Sequence, residues 1–269
     1  MSEPLPVVVC GAAGRMGRLL VALARDDERL RVAAAVEAPG HPAVGRDAGE
    51  LTGGGALGVR VSDALAAVCA REHVVLDFTA PEATLGHVRV AAERGAGLVV
   101  GTTGFDAGQQ RELRTVAART RTVWAPNMSV GVTVLNELVG AAARLLDPSF
   151  EAEVLEIHHH AKRDAPSGTA LALARAVAAA RGQDFDKSAV LAREGLVGAR
   201  RPDEIGVVAL RAGDAIGDHT VVFGGLGERI ELTHRAQSRE CLARGALRAA
   251  LWVAARPPGL YSMRDVLGL

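Results

Sequence analysis

Residues 6–17 read PVVVCGAAGRMG, a valine-rich run that passes directly into three glycines, Gly11, Gly14 and Gly17. The run is typical of a buried strand. Apolar residues beyond it recur at helical spacing: Met16, Leu19, Leu20 and Leu23. A strand that turns through glycines into a helix is the setting of a dinucleotide-binding turn, because glycine lets the backbone approach the pyrophosphate and the helix N-terminus favours an anion. The spacing is G-x-x-G-x-x-G rather than G-x-G-x-x-G, so the prediction depends on this strand and helix context. The alternative is a tight turn that binds nothing.

The composition is typical of a globular protein with a sizeable core, since 49% of the 269 residues are hydrophobic. The 31 basic and 31 acidic residues cancel and only 3% are aromatic, which argues against nucleic-acid binding. No segment stays apolar for the ~20 residues that a bilayer requires, and the first residues lack the pattern of a secretion signal. We therefore expect no membrane partner and a cytoplasmic location. Cys10, Cys69 and Cys241 are too far apart for a zinc motif and are expected to be small buried hydrophobes.

The first half alternates β-branched runs with helical segments, which predicts parallel βαβ units. Strands are expected at 6–10, 30–36, 74–78, 98–100 and 122–125, and helices at about 81–94 and 107–119. This pattern favours an α/β fold with a doubly wound, Rossmann-type parallel sheet. After a helix at 130–146 the pattern changes. Strands at 151–160, 205–211, 219–223 and 228–234, with a helix near Thr169 and a last helix at 239–255, predict a second α+β domain that contains a mixed sheet.

An acidic residue, Glu37, ends the second expected strand, twenty positions after Gly17. A carboxylate in this place accepts hydrogen bonds from the adenosine ribose and repels a 2′-phosphate. The next residues supply no base, although Arg15 could reach across, so NADH is expected to be used at least as well as NADPH. The loops 101–104 and 125–128 also follow expected strands, where they border a ligand crevice, but each could be an ordinary turn.

The densest chemistry lies at residues 156–170, which read EIHHHAKRDAPSGTA. Side chains alternate along a strand, so only His158 and His160 would share a face, and no other ligand cluster completes a metal site; no metal is expected. Imidazole, the ammonium of Lys162 and a helix N-terminus near Thr169 fit a substrate that bears carboxylates and needs a proton. Only two of the 31 basic residues are lysines, and one of them, Lys162, lies in this run. The use of lysine here in place of arginine indicates a need for a dissociable proton or a compact ammonium. The alternative is a solvated basic turn before a capped helix.

This run resembles the motif E-x-H-H-x-x-K-x-D-A-P-S-G-T-A of the 4-hydroxy-tetrahydrodipicolinate reductase family, also called dihydrodipicolinate reductases. The resemblance extends along nearly the whole chain, in GAAGRMG at 11–17, DFTxPE at 77–82, GTTG at 101–104, APNMSVGV at 125–132 and LTHxAxSR at 232–239. One departure is Met128, where many relatives have Phe. The family implies reduction by NADH or NADPH in lysine and diaminopimelate synthesis, with a small dicarboxylate as substrate.

The resemblance also implies roles for individual residues. His158 corresponds to the general acid, and Lys162 to a second proton donor or electrostatic partner. Substrate contacts are implied for His159, Gly168, Thr169 and Arg239. Cofactor contacts are implied for Gly11, Ala12, Ala13, Gly14, Arg15, Met16, Glu37, Gly101, Thr102, Thr103, Ala125, Pro126, Asn127 and Met128. The family further implies a dinucleotide-binding domain at 1–128, completed by 240–269, a substrate-binding and oligomerisation domain at 129–239, and a homotetramer.

Two other functions remain open at this point. One is a different two-domain NAD(P)-dependent dehydrogenase acting on a small dicarboxylate or a semialdehyde, which would share the glycine turn but lack the run at 156–170. The other is a regulator that senses NADH without turnover, which would need a basic DNA-binding or partner module that this neutral chain does not show.

Overall fold

The computed structural model of the chain describes residues 3–269, which form two compact units. Unit 1 comprises Met1–Val130 and Glu240–Leu269, and unit 2 comprises Gly131–Arg239. The C-terminal segment therefore belongs to the same unit as the glycine-rich turn.

The helices and strands follow one another along the chain in the order given below. The first part contains β1 (Leu5–Cys10), α1 (Arg15–Arg25), β2 (Leu30–Val36), a 3-10 turn (Glu50–Thr52), β3 (Val61–Ser62), α2 (Leu65–Val68), β4 (Val74–Asp77), α3 (Pro81–Arg94), β5 (Gly97–Val100), α4 (Ala107–Ala117) and β6 (Arg121–Trp124). The middle part contains α5 (Val130–Leu145), β7 (Glu151–His158), α6 (Gly168–Ala180), α7 (Phe185–Ser188), β8 (Ala189–Val190), β9 (Ile205–Arg211), β10 (Asp218–Gly225) and β11 (Glu228–Arg235). The last part contains α8 (Glu240–Val253), β12 (Gly259–Tyr261) and α9 (Met263–Leu267).

Unit 1 is built on one parallel sheet, which within residues 3–269 has seven strands in the order β12-β6-β5-β4-β1-β2-β3. Both faces of the interior strand β1 are covered, because Val7 and Val9 join one hydrophobic core and Val8 joins another. Residues of α1 and α8 pack in the first core, and residues of α3 and α4 pack in the second. Helices on both faces of a parallel sheet confirm the predicted doubly wound α/β class.

Local sequence explains where the helices of unit 1 begin and end. Helix α3 begins with Pro81, whose fixed φ suits the first helical turn, and ends before Gly95 at φ +69°, a left-handed conformation that glycine adopts readily. The N-terminus of α4 is fixed by a capping box, in which the side chains of Asp106 and Gln109 each bond the other's backbone N–H.

Unit 2 contains a mixed sheet in the order β11-β10-β7-β9-β8, with β7 parallel to β9 and antiparallel to β10. Its inner face packs on α5 and α6 around Val154, Leu173 and Phe223. Residues of β7 alternate between this buried face, which includes Glu156 and His158, and an outer face that includes Leu155. The predicted mixed α+β arrangement is confirmed.

Several sequence expectations need correction. The strand expected to reach residue 160 ends at His158, because its parallel neighbour ends opposite, at Arg211, and the chain then turns. Short strands β3, β8 and β12 were not expected. Cys10 and Cys69 are buried as predicted, but Cys241 is partly exposed. Among residues 3–269, every helix is too short or too polar to cross a bilayer.

Candidate active site

The glycine turn of unit 1 has the geometry that a bound pyrophosphate requires. Gly11 has φ +68°, which favours glycine. A Cβ added to Gly17 would overlap the carbonyl oxygen of Gly11 and the Cα of Ala12, so only glycine lets α1 pack this closely on the turn. Gly14 is the N-cap of α1, and in the part of the chain that the structure describes no side chain caps this helix. Its first amides and its dipole therefore suit an anion.

The carboxylate of Glu37 lies directly on this turn. Oε1 accepts a hydrogen bond from the backbone N–H of Ala13 at 2.8 Å, and Oε2 accepts one from Ala38 at 3.2 Å. The structure thus brings together the two features that the sequence analysis related only by spacing. Arg15, at the start of α1, is exposed.

The loops that follow β4, β5 and β6 line a cavity of about 230 Å³ in unit 1. Predicted cofactor residues in its wall are Met16, Gly101, Thr102, Thr103, Pro126, Asn127 and Met128. Phe78, Thr79 and Leu242 complete the wall and were missed as site residues, although Phe78 and Thr79 belong to the DFT run. Ala125 is buried beside the cavity, at the end of β6. Helix α8 packs tightly on this loop, because a Cβ on Gly245 would overlap the carbonyl oxygen of Met128.

A buried carboxylate, Asp77, connects two of these loops. Its Oδ1 accepts hydrogen bonds from the hydroxyls of Thr79 at 2.7 Å, Thr84 at 3.0 Å and Thr102 at 3.2 Å, and from the Thr79 N–H at 3.0 Å. Its Oδ2 lies 2.6 Å from Nδ1 of His87. Burial alone would raise the pKa of Asp77, but the hydrogen bond and charge of His87 and the hydrogen bonds of Thr79 outweigh it and lower this pKa. The ionised carboxylate therefore holds the loops after β4 and β5 together.

Three potential metal ligands, Cys10, Asp77 and His87, lie close together among residues 3–269. Burial, followed by the charge of Asp77, raises the pKa of the Cys10 thiol well above its usual range, so the thiol stays protonated. Both oxygens of Asp77 already accept hydrogen bonds. A protonated thiol and a carboxylate that is already hydrogen-bonded are poor metal ligands, so we assign no metal to these three residues.

In unit 2, the inner face of the sheet presents His158 at the end of β7. His158 is buried, with 8% of the residue exposed, and its Nδ1 is hydrogen-bonded to Oε2 of the fully buried Glu156. His160 points elsewhere, since its Nδ1 bonds the carbonyl of Gly213 at 2.9 Å. In a continuous strand, His158 and His159 would point to opposite faces and could not share a site. Because the strand ends at His158, His159 lies outside it and this alternation does not apply to it.

Further predicted site residues of unit 2 lie near His159. Its pKa is lowered, first by desolvation and then by the positive charges of Arg239, His158, His160 and Lys162. The ammonium of Lys162 is paired with Asp164, at 2.9 and 3.0 Å from its two oxygens. The structure therefore places Lys162 and Arg239 close enough to act electrostatically on the same imidazole.

The N-terminus of α6 supplies an open anion site. Its N-cap, Ser167, accepts a hydrogen bond from the N–H of Ala170 at 3.2 Å, and no acidic residue stands in its first turn in this fully described segment. Gly168 is exposed, and a Cβ added there would meet nothing within 4 Å. Thr169 follows it in the first turn. A carboxylate can approach these first residues of the helix.

Two side chains near His158 were missed by sequence reasoning. His219 packs edge-on against the His158 ring, with centroids 5.1 Å apart, and its Nε2 lies 3.2 Å from Oγ of Ser167. Burial, followed by the charge of His158, lowers the pKa of His219 to about 4, so this ring is neutral at pH 7. Arg211 reaches the same cluster through Glu156, at 3.0 and 3.1 Å. Only the pairing of β7 with β9 and β10 could have revealed either residue.

The doubly wound unit with its glycine turn places the chain among the Rossmann-type dinucleotide-binding proteins. Two family models divide the chain between them: "Dihydrodipicolinate reductase, N-terminus" matches residues 5–128, and "Dihydrodipicolinate reductase, C-terminus" matches residues 131–267. The chain belongs to the dihydrodipicolinate reductase family, which confirms the resemblance seen in the sequence.

Individual relatives match this chain over nearly its whole length. The chain is 49% identical over 261 residues to a 4-hydroxy-tetrahydrodipicolinate reductase of Syntrophobacter fumaroxidans, covering 97% of this chain and 98% of that protein. It is 52% identical over 263 residues to the protein of the same name from Anaeromyxobacter sp. (strain Fw109-5), covering 98% and 97%. Among solved structures, a dipicolinate-bound dihydrodipicolinate reductase from Paenisporosarcina sp. TG-14 shares the fold, with a TM-score of 0.74, 22% identity, and coverage of 97% and 98%.

Proposed function

We propose that this chain reduces 4-hydroxy-tetrahydrodipicolinate to tetrahydrodipicolinate with NADH or NADPH, as a cytoplasmic step of lysine and diaminopimelate synthesis. The relatives at about half identity carry the name of this reductase. The observation that carries the proposal is the cluster at the end of β7, where His158 is backed by a buried carboxylate beside Ser167, the N-cap of α6. Replacing the hydroxyl of the substrate by hydrogen consumes one hydride and one proton and releases water.

Within this reaction, His158 supplies the proton. Imidazole exchanges protons near neutral pH, and a positioned acid of this kind contributes about 100- to 10,000-fold to a rate. Lys162 adds a positive charge near the imidazoles of the cluster and can donate a proton itself. A bound nicotinamide supplies the hydride, so the protein needs only to bind, orient and protonate the substrate.

The substrate carries two carboxylates, and unit 2 offers two kinds of partner for them. Gly168 and Thr169 at the start of α6 provide backbone N–H groups in a favourable dipole. His159 and Arg239 provide side-chain donors, and a guanidinium can bind a carboxylate through two parallel hydrogen bonds.

We assign cofactor binding to unit 1. The pyrophosphate fits the turn from Gly11 to Met16, because Gly17 lets α1 pack closely on the turn and no side chain caps the start of this helix in this fully described segment. The nicotinamide end fits the cavity lined by the loops 101–103 and 126–128. Glu37 accepts hydrogen bonds from the adenosine ribose, and its charge lowers affinity for a 2′-phosphate, so NADH serves at least as well as NADPH.

Self-association into a homotetramer is assigned to unit 2. The outer face of its sheet exposes large apolar side chains that a monomer would leave in water: Leu155 at 37%, Val208 at 39% and Leu210 at 44% exposure. Residues 155 and 208 are partners in register, so the apolar surface is continuous across two strands.

The test is an assay of both cofactors with the condensation product of pyruvate and aspartate semialdehyde. We expect oxidation of NADH, and a fall in kcat of about 100-fold or more in His158→Gln. His160→Gln is the matched control, since that neighbouring ring bonds Gly213 instead, and it should keep kcat within a few-fold. Turnover of another carbonyl acid without turnover of this substrate would instead support a different dehydrogenase.

A further inference from the structure

Glu156 is a fully buried carboxylate at the centre of the unit 2 cluster. Its Oε1 accepts hydrogen bonds from the N–H of Ser167 at 3.0 Å and from Nη2 of Arg211 at 3.1 Å. Its Oε2 accepts one from Nη1 of Arg211 at 3.0 Å and contacts Nδ1 of His158. One carboxylate therefore connects two strands, β7 and β9, with the N-terminus of α6.

A buried carboxylate is costly unless its partners replace the lost water, and Glu156 meets this condition. The guanidinium of Arg211 binds it through two parallel hydrogen bonds, and the backbone N–H of Ser167 adds a third. A carboxylate that is ionised only accepts hydrogen bonds, so the atom of His158 that faces it must carry hydrogen.

This requirement fixes the tautomer of the His158 ring. With hydrogen on Nδ1, the neutral ring leaves Nε2 unprotonated, and the transferable proton of the charged ring is the one on Nε2. Nε2 lies beside Gly217, where an added Cβ would stand only 2.9 Å away. Glycine at this position therefore keeps the space next to the reactive nitrogen open.

The Glu156–Arg211 pair also sets the position of the residues around His158. Ser167, held by Glu156, is the N-cap of α6, which is the proposed carboxylate site. Arg211 donates a further hydrogen bond to the carbonyl of Asp164 at 2.6 Å, and Asp164 is the partner of Lys162. The proton donor, the lysine loop and the anion site are thus held by one ion pair.

We infer that Glu156 and Arg211 are positioning residues for the reduction: Glu156 orients His158 for proton donation from Nε2 and stabilises its charged form, and Arg211 opposes that charge while locking the carboxylate in place. This inference rests on His158 as the proton donor. The two residues act on the protonation of His158 with opposite sign. The other titratable groups around His158 and Glu156 come from β10 and from the loop after β7: His219, His159, Lys162 and Asp164.

The first experiment needs no substitution. Nitrogen-15 NMR of His158 in the full chain without substrate reports which ring nitrogen carries hydrogen. We expect hydrogen on Nδ1 in the neutral ring. Hydrogen on Nε2 instead would overturn the inference.

The second experiment follows the titration of the same ring in two variants. In Glu156→Gln the negative charge is lost, so the midpoint should move down by about one to two pH units, and in Arg211→Met it should move up. Glu153→Gln is the matched control, because this carboxylate stands on the same strand but on the outer face, paired with Arg193 and Arg200, and it should leave the midpoint in place. General damage to the fold would not move the midpoint in opposite directions.

Steady-state kinetics complete the test. In Glu156→Gln, kcat should fall at least tenfold and the alkaline limb of the pH–rate profile should move to lower pH, while KM for NADH stays within twofold. Unmoved midpoints in both variants, or movement in the same direction, would refute the inference. If Glu156→Gln does not fold, the upward movement in Arg211→Met still decides it. Opposite shifts together with full turnover in His158→Gln would show that the ion pair sets the charge of the His158 ring, but would refute the proposed proton donor and, with it, a role of the pair in the reduction.

Discussion

Two carboxylates, Asp77 in unit 1 and Glu156 in unit 2, are both fully buried near the carboxyl end of a strand, and both contact a histidine. They differ in their remaining partners. Asp77 is surrounded by the hydroxyls of three threonines, whereas Glu156 shares its oxygens with a guanidinium. A buried charge is tolerated in both places because each oxygen accepts hydrogen bonds.

The difference shows how one chemical group serves two purposes. The hydroxyls around Asp77 belong to the chain segments that follow β4 and β5, so this carboxylate fixes loops that line the proposed cofactor cavity. The partner of Glu156 is a permanent cation, the guanidinium of Arg211, which holds both carboxylate oxygens in place beside the histidine. The first network is a structural tie, and the second surrounds the proposed proton donor.

The largest effect is expected from Asp77→Asn. The amide keeps an accepting oxygen at only one of the two positions, so either the threonine hydroxyls at Oδ1 or the His87 imidazole at Oδ2 faces an NH₂ group in place of an oxygen, and the charge that pairs with His87 is lost. Breaking a buried network of this kind costs about 3 kcal/mol. Chemical unfolding followed by tryptophan fluorescence measures it, because Trp124 and Trp252 both lie in unit 1.

The matched control for this prediction is Asp26→Asn. Asp26 is 64% exposed and paired with Arg25 on the surface, so its replacement should leave the free energy of unfolding nearly unchanged. The pKa of Asp77 is lowered in the fold, so its contribution is present above the ordinary aspartate range near pH 4 and is lost as pH falls below it. Equal stability of the two variants would show that Asp77 is no structural tie.

A pH-dependent effect of similar or smaller size is expected from His219→Gln. Burial lowers the pKa of His219 to about 4, while a histidine of the unfolded chain titrates near ~6.5. Between these values the unfolded chain binds a proton that the folded chain does not, so stability falls as pH drops from about 6.5 to 4, by up to about 3 kcal/mol. Hydrogen exchange of β10 amides reports this, since the tryptophans are both in unit 1.

In His219→Gln, the protection of the β10 amides should depend less on pH. In the control His160→Gln, which replaces an exposed ring, the pH dependence should stay unchanged. If the same loss of protection towards pH 4 persists in His219→Gln, another group of unit 2 is responsible. The cluster around Glu156 would then contain a titrating group other than His219 that lowers its stability at acidic pH.

The sequence predicted those elements whose limits have a local cause. Helix α3 matches its predicted range because proline and a left-handed glycine mark its ends, and β2 and β9 match because their apolar runs stop abruptly. The strand β12 has only three residues and exists because it pairs with β6, far away in sequence. A strand of that length is too short for a hydrophobic pattern to predict it.

The candidate site divides in the same way. Spacing along the chain was enough to relate Glu37 to the glycine turn. It could not relate Glu156 to Arg211, which are 55 positions apart, because their contact depends on the parallel pairing of β7 with β9. Likewise, the bond between Asp77 and Thr102 follows from two neighbouring strand ends.

The smallest effect is expected at a third carboxylate, Glu37, which is only partly buried and hydrogen-bonded to the turn at Ala13. Glu37→Gln can keep the hydrogen bond from Ala13 but loses the charge. We expect Kd for NADPH to improve by about tenfold relative to Kd for NADH, worth ~1.4 kcal/mol, because repulsion of the 2′-phosphate disappears. Fluorescence titration with each cofactor measures the ratio.

Glu37→Ala separates the charge from the hydrogen bonds. It should weaken NADH binding as well, since the ribose acceptor and the tie to Ala13 are both lost, while the unfolding free energy changes by less than in Asp77→Asn. An unchanged Kd for NADH in Glu37→Ala would reject the ribose contact. A carboxylate at the surface would then differ from the two buried ones in contributing to neither the fold nor the ligand, and the preference between cofactors would have to come from Arg15.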